Sequence, residues 1–355
     1  MKSNLKFFKK KKFLPVDQFF QKVLYDKKNG YYTSQSPFGA KGDFITAPKI
    51  SNLFSEMIAI WVVSTWEILG KPKIINVIEL GPGDGSLANI FLEVSKKFDD
   101  FNSAKKFYLY ETSSLLKKLQ KKNIKNRQVK WINDFKNLKK GPVIFFGNEF
   151  FDAIPIKQFK NEKGYFLEKH YSLNKKNNRI KEVFKKASKQ DVANIKSYKI
   201  LRKLNFIEFP KLGLNELEKI KKKILQLEGC LLLIDYGYLE PKNQNTIQSV
   251  IKHKKNRILN NLGKADITSH VNFGLLNEFY LKNNLKVNKV ISQQKFLKNM
   301  GIVKRAEIIG KKMKFSDQAN MYLRLKRLLS PYLMGELFKV SLAYKFKSNK
   351  FFGFK

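Results

Sequence analysis

The stretch IINVIELGPGDGSLANIF, residues Ile74–Phe91, decides how the rest of the chain reads. It opens with a short apolar run, Ile74, Ile75, Val77, Ile78 and Leu80, broken only by Asn76 and Glu79. Such a β-branched run is too short for a helix and has the composition of a buried parallel strand. Gly81-Pro82-Gly83-Asp84-Gly85 follows, and then Leu87, Ile90 and Phe91 at helical spacing. Three glycines in five residues, between strand and helix, predict a tight turn whose backbone can approach a ligand closely. The free N–H groups of the following helix point at whatever sits there. Glycines also make turns that bind nothing, so it is the flanking strand and helix that predict a nucleotide-type ligand.

Dinucleotide folds space their glycines G-x-G-x-x-G, the third one letting helix and strand pack closely. Here the spacing is G-x-G-x-G, and Glu79 stands two residues before the first glycine. A carboxylate inside the strand repels a pyrophosphate and suits a ligand with a cationic amine. E-x-G-x-G-x-G resembles the glycine motif of class I S-adenosylmethionine methyltransferases. Further on, Phe107-Tyr108-Leu109-Tyr110-Glu111 reads as a second strand ending in an acid. A carboxylate at that tip can accept from both ribose hydroxyls, though a solvated strand-end acid has the same sequence.

At 355 residues the chain accommodates a core domain with an inserted lobe. With 43% hydrophobic and 14% aromatic residues a sizeable core is available, which argues against wholesale disorder. The formal charge of +42 would suggest nucleic acid or an anionic membrane. Only seven of the 71 basic residues are Arg, however, and the lysines are spread along the whole chain. Abundant Lys, Asn, Ile and Phe together are what an AT-rich coding sequence produces, whereas a phosphate-binding face clusters and uses Arg. No specific nucleic-acid partner is expected. Cys230 is the one cysteine, which excludes an internal disulfide, and His170, His253 and His270 show no metal-ligand spacing. The N-terminal MKSNLKFFKKKKFLP lacks the apolar core and cleavage site of a secretory signal, and the longest apolar stretch, Met57–Leu69, falls short of a bilayer span. These features lead to the expectation of a soluble cytoplasmic protein.

Along the chain, residues 12–28 read as an amphipathic helix, and Ser34–Pro48 as a Gly/Pro-rich loop of the length that usually carries function. A long helix is predicted from about Pro48 to Leu69, with Gly70 and Pro72 ending it. From Ile74 strands and helices alternate, the pattern of a parallel α/β sheet. The strands are predicted at Ile74–Leu80, Lys106–Tyr110, Val129–Ile132, Pro142–Gly147 and Cys230–Tyr236, with late strands at Val287–Ser292 and Phe338–Tyr344. Residues 157–210 lose the alternation and read as an insertion with a hairpin. Glu240–Lys264 reads as a polar loop, and Ala265–Phe273 as the start of a helix. The expected organisation is an N-terminal helical segment with its long loop over 1–70, then a Rossmann-like domain over 71–355 interrupted at about 157–210.

In open α/β sheets the ligand lies outside the carboxyl ends of the strands. Four acids fall there: Glu111, Asp134, Glu149 and Asp235. Glu111 and Asp134 stand where ribose and adenine would lie. Glu149 and Asp152 follow the fourth strand, where a transferable methyl would point. Methyl transfer is an in-line displacement from a sulfonium, so the protein supplies proximity, orientation and a nucleophile with a free lone pair. Paired carboxylates can grip a guanidinium with two prongs and orient its nitrogen. The same acids also cap helix N-termini, and His270 is as well placed for capping or packing as for a base.

Taken together, these stretches resemble the MidA family, which includes a mitochondrial complex I assembly methyltransferase that dimethylates an arginine. The likeness rests on Gly30-Tyr31-Tyr32, on Gly42 through Ser51, on Glu79 through Gly85, and on Asn148 through Pro155. It continues through Asp235-Tyr236-Gly237, Ala265–Phe273, Gln294–Leu297 and Met334–Val340. Three positions depart from the family pattern. Lys49 stands where Glu is usual, Asn272 where Asp is usual, and Asn261-Leu262-Gly263 in place of Asp-Pro-Gly. The resemblance implies a class I S-adenosyl-L-methionine-dependent methyltransferase acting on protein arginine, with a complex I subunit as its substrate. It implies that Gly42, Asp43 and Thr46 fold over the cofactor. With them, Glu79, Gly81, Gly83, Gly85, Glu111 and Asp134 are expected to bind it, and Glu149, Asp152 and Asp235 to carry the chemistry. A nucleic-acid methyltransferase or basic RNA-binding protein is the alternative from another class, since Asn148-Glu149-Phe150-Phe151 faintly resembles the Asn-Pro-Pro-aromatic motif without its prolines. A non-catalytic assembly factor is the third reading, against which stand the intact glycine turn and strand-end acids.

Overall fold

The computed structural model describes residues 5–8, 11–34, 46–125, 128–174 and 176–354. Two compact units divide the chain: Met1–Phe44, Phe151–Leu217 and Tyr238–Phe279 form one, and Ile45–Phe150, Glu218–Gly237 and Tyr280–Lys355 the other.

The second unit is organised around the predicted strand–turn–helix. The helix expected from Pro48 to Leu69 is two helices, α1 (Ala47–Ile50) and α2 (Asn52–Ile68). Ser51 breaks them with an extended backbone, and its hydroxyl accepts the Leu53 N–H at 3.3 Å, so it caps α2. Strand β1 (Ile75–Leu80) is buried at every residue and leads through the glycine turn into α3 (Ser86–Ser95). β2 (Lys105–Tyr110), β3 (Val129–Ile132), β4 (Val143–Asn148) and β5 (Gly229–Tyr238) join it in parallel, in the order β3-β2-β1-β4-β5. α4 (Ser114–Asn123) connects β2 to β3. β6 (Phe338–Lys345) adds antiparallel beside β5. The chain therefore moves outward from β1 to β3 and then returns to its other side at β4, which opens a crevice at the carboxyl ends of β1 and β4. Burial on both faces is why these strands read as apolar runs. Phe54, Trp61 and Val62 of α2 share one core with Phe91 of α3 and with Val77, Phe107 and Phe146 of the sheet. Phe91 stacks on Phe107 at 4.5 Å between ring centroids.

The first unit is mostly antiparallel. Tyr165–Asn174 pairs with Lys157–Glu162, with Arg179–Lys186 and with the short strand Phe13–Pro15, and Phe206–Phe209 pairs with Lys157–Glu162. The insertion at 157–210 is thus this unit's sheet, and the N-terminal segment contributes a strand before its helix Val16–Tyr25. Ala265–Phe273 differs from expectation: Asp266–Thr268 and Val271–Asn272 are strands, and the helix starts only at Phe273. Ile267 and Thr268 are β-branched and buried, and strand pairing of Asp266–Thr268 with Gln248–Ile251 inside the predicted polar loop settles their conformation. Among the described residues no helix is long and apolar enough to cross a membrane.

Candidate functional site

The register of the central sheet brings the strand ends level. Ile132, Tyr110, Leu80, Gly147 and Leu233 form one row across β3, β2, β1, β4 and β5. β1, β2 and β3 end at this row, where Glu111 donates its N–H to Ile132 O and Gly81 its N–H to Tyr110 O, while β4 runs on to Asn148 and β5 to Tyr238. Beyond the row, all three glycines of the turn are left-handed, with φ of 61° at Gly81, 57° at Gly83 and 86° at Gly85. Side chains are crowded out at its first and last glycine. A Cβ at Gly81 would lie 2.9 Å from Phe150 Cδ2, and one at Gly85 2.8 Å from Ile124 Cδ1. Asp84 Oδ1 accepts from the Ser86 N–H at 3.2 Å and its hydroxyl at 2.7 Å, which fixes the entry to α3.

Glu79 lies under this turn with 4% of its surface exposed. Burial, reinforced by the charge of Asp84, pushes its carboxyl up to about 8. Its Oε2 has no hydrogen-bond partner among the described residues, and neither does the buried Asn148 Oδ1 at the end of β4. A buried acceptor left without a donor costs roughly 1–3 kcal/mol. Two of them, on the strands that border the crevice, fit a ligand that brings N–H donors, and beside a carboxylate a cationic amine fits best.

Glu111 is nearly buried, and burial raises its carboxyl against hydrogen bonds that lower it. Its Oε1 accepts the Ser113 N–H at 2.7 Å and its Oε2 accepts from the Gln120 amide at 3.2 Å. Gln120 also donates to Gly83 O at 2.8 Å and accepts from the Trp131 indole N–H at 2.9 Å. One fully buried side chain of α4 thus joins the glycine turn, the acid after β2 and strand β3. Sequence reading missed it. A single Gln in a lysine-rich helix looks solvated, and only its place three residues before Asn123 on the face of Leu116 hints otherwise.

Glu149 leaves β4 in the left-handed region, φ 51°, a conformation costly for a residue with a Cβ. Its Oε1 accepts from the Asn148 amide at 3.0 Å and from the Ala47 N–H at 3.4 Å. Asp134 sits beyond β3 as expected but is exposed, and its carboxylate closes a turn on the Lys136 N–H at 2.9 Å. Asp235 is not at a strand end. β5 continues to Tyr238 because Tyr236 still pairs with Phe338 of β6, which leaves Asp235 inside the ladder opposite Lys339 and 1% exposed. Thr46 precedes α1, and its hydroxyl makes no capping bond there. Gly42 and Asp43 lie outside the described residues.

Asp152 belongs to the other unit, where three of the quoted motifs meet. The Ser269 N–H donates to Asp152 O at 3.1 Å, and the Tyr25 hydroxyl to Ala153 O at 3.0 Å. Tyr25 stacks on Tyr32, whose hydroxyl lies 3.0 Å from each carboxylate oxygen of Asp266. Burial, then Asp266, raises the Tyr32 phenol well above its usual value, so it stays a donor.

Comparison with known proteins gives this geometry a family. The chain is 26% identical to "Protein arginine methyltransferase NDUFAF7, mitochondrial" of Homo sapiens over 351 residues, 92% of this chain and 78% of that protein. It is 30% identical to the Caenorhabditis elegans homolog of that name over 311 residues, 78% of this chain and 70% of the relative. Among solved structures, a "likely methyl transferase from Burkholderia thailandensis bound to S-adenosyl-homocysteine" superposes with a TM-score of 0.78 at 21% identity, covering 97% of this chain and 89% of that one. That likeness bears out the class I α/β fold. The relatives are named as mitochondrial, which overturns the expectation of a cytoplasmic protein: composition and the missing secretory signal do not report the compartment. Residues 57–291, which hold the glycine turn and the strand-end acids, match the family described as "Putative S-adenosyl-L-methionine-dependent methyltransferase". By that match the chain belongs to the S-adenosyl-L-methionine-dependent methyltransferases.

Proposed function

We propose that this methyltransferase modifies an arginine nitrogen in a protein, and that its substrate is a subunit of respiratory complex I. The reading is supported by the arginine methyltransferase relatives, which align over most of their own length as well as over most of this chain. The observation that carries the cofactor half is Glu79 Oε2, buried and without a donor among the described residues, under a turn of three left-handed glycines.

When bound, S-adenosyl-L-methionine supplies a methyl group on a positively charged sulfur. The residues of this chain bind and orient. Gly81, Gly83 and Gly85 let the backbone come close, and Glu79, once ionised, accepts the cofactor's ammonium. Glu111, held by Ser113 and Gln120, retains lone pairs for the ribose hydroxyls. Thr46, which precedes α1, is assigned to the cover of the site, and Asp134 to the adenine end. Glu149 is assigned to the guanidinium: its carboxylate would orient one nitrogen toward the methyl group and take up the proton which that nitrogen gives up as the methyl is transferred.

The test is transfer of a radiolabelled methyl from S-adenosyl-L-methionine into the proteins of a mitochondrial lysate, followed by acid hydrolysis. Label recovered as methylarginine, and lost with Glu149→Gln, is the expected result. Label recovered as methyl-lysine or in nucleic acid would overturn the arginine reading.

A further inference from the structure

We propose that Lys49 is a cofactor-positioning residue of this methyltransferase: its ammonium, paired with Asp84, ties the segment before α2 to the glycine turn and offsets a negative charge beside Glu79. The inference rests on cofactor binding at the glycine turn and is independent of arginine as the methyl acceptor.

Lys49 Nζ lies 2.7 Å from Asp84 Oδ2, with 19% and 15% of the two side chains exposed. Removed this far from water, the pair is screened only weakly. Both oxygens of Asp84 are committed, Oδ1 to Ser86 and Oδ2 to Lys49, so the carboxylate is fixed in place with its charge. That charge acts on Glu79, for which Asp84 is the charged neighbour opposing ionisation. A cation on Asp84 weakens this opposition, and Glu79 must ionise to hold an ammonium. At the other end of α1, the Ala47 N–H reaches Glu149 Oε1. Four residues are thus tethered both to the turn after β1 and to the turn after β4.

Calorimetric titration of the full chain with S-adenosyl-L-methionine tests this on wild type, Lys49→Met, Asp84→Asn, the double variant and Lys49→Arg. Lys49→Met is expected to weaken binding about tenfold, and Lys49→Arg to restore it to within about twofold. In the Asp84→Asn background, Lys49→Met should cost less than about twofold, because the partner is already neutral. A purely packing role for the lysine stem would show equal losses in both backgrounds, and that result overturns the proposal. So does unchanged affinity in Lys49→Met. Absence of binding by the wild type would take the cofactor from the turn altogether, a different failure from the loss of coupling.

Discussion

Gln120 donates to the Glu111 carboxylate at 3.2 Å and, through the same amide nitrogen, to Gly83 O at 2.8 Å, so the acid and the turn are held by one side chain. Replacing it with Leu leaves the Trp131 N–H, Gly83 O and Glu111 Oε2 without that partner in a buried place. Such loss costs roughly 1–3 kcal/mol per group left unmet, so Gln120→Leu should lower unfolding free energy by about 3 kcal/mol or more. It should weaken cofactor binding by more than that change in stability explains. Urea unfolding with and without S-adenosyl-L-methionine separates the two.

Glu79 gives the cofactor-free protein a defined response to pH. Its folded-state value of about 8 lies above the unfolded carboxylate value of 4.5. Between these the folded state holds more protons, so this contribution to stability is full below the unfolded value and is lost as pH rises through about 8. Cofactor binding runs the other way, because the ammonium needs the ionised carboxylate. Titration at pH 7 in buffers of different protonation enthalpy should show release of about one proton per cofactor bound, and Glu79→Gln should abolish it.

Gly83 needs a left-handed backbone that costs a residue with a Cβ roughly 1–3 kcal/mol, more when it is β-branched. Gly83→Val should fold, since the turn lies at the edge of the core, yet fail to bind S-adenosyl-L-methionine in equilibrium dialysis. Retained binding would remove this turn from the site.

In the first unit Lys157 Nζ sits 2.6 Å from Glu168 Oε1 and 3.0 Å from Asp191 Oδ2, and Lys211 covers the other Asp191 oxygen at 2.8 Å. Burial pulls the Lys157 ammonium down, and its hydrogen bonds to the two acids more than offset it, so the net shift is upward. Lys157→Met removes the only cation among the described residues that touches both Glu168 and Asp191. Breaking a buried pair in this way costs about 3–5 kcal/mol, a loss that thermal or urea unfolding would register directly.

The parallel sheet was legible because its strands are buried on both faces and flanked by turn glycines, and Val129–Ile132 read to the residue. Where burial comes from a distant strand the pattern fails. Gln248–Ile251 and Lys254–Asn256 carry polar side chains on short antiparallel strands, so they look like loop. Ser51 looks like one more polar residue on a long helix, yet its hydroxyl starts the second of two. The glycine turn, Glu79 and Glu111 were readable from spacing alone. Gln120 and the Lys49–Asp84 pair were not, because no local period records that a side chain reaches across to another loop.

The left-handed backbone at Glu149 sets two selections against each other. Glycine at that position would relieve the strain, by roughly 1–3 kcal/mol, at the loss of a carboxylate. A library screened for heat resistance alone should therefore accumulate glycine or asparagine at 149, and one screened for methyl transfer should purge both. Which residue survives would tell whether this acid is kept for the chain or for its reaction.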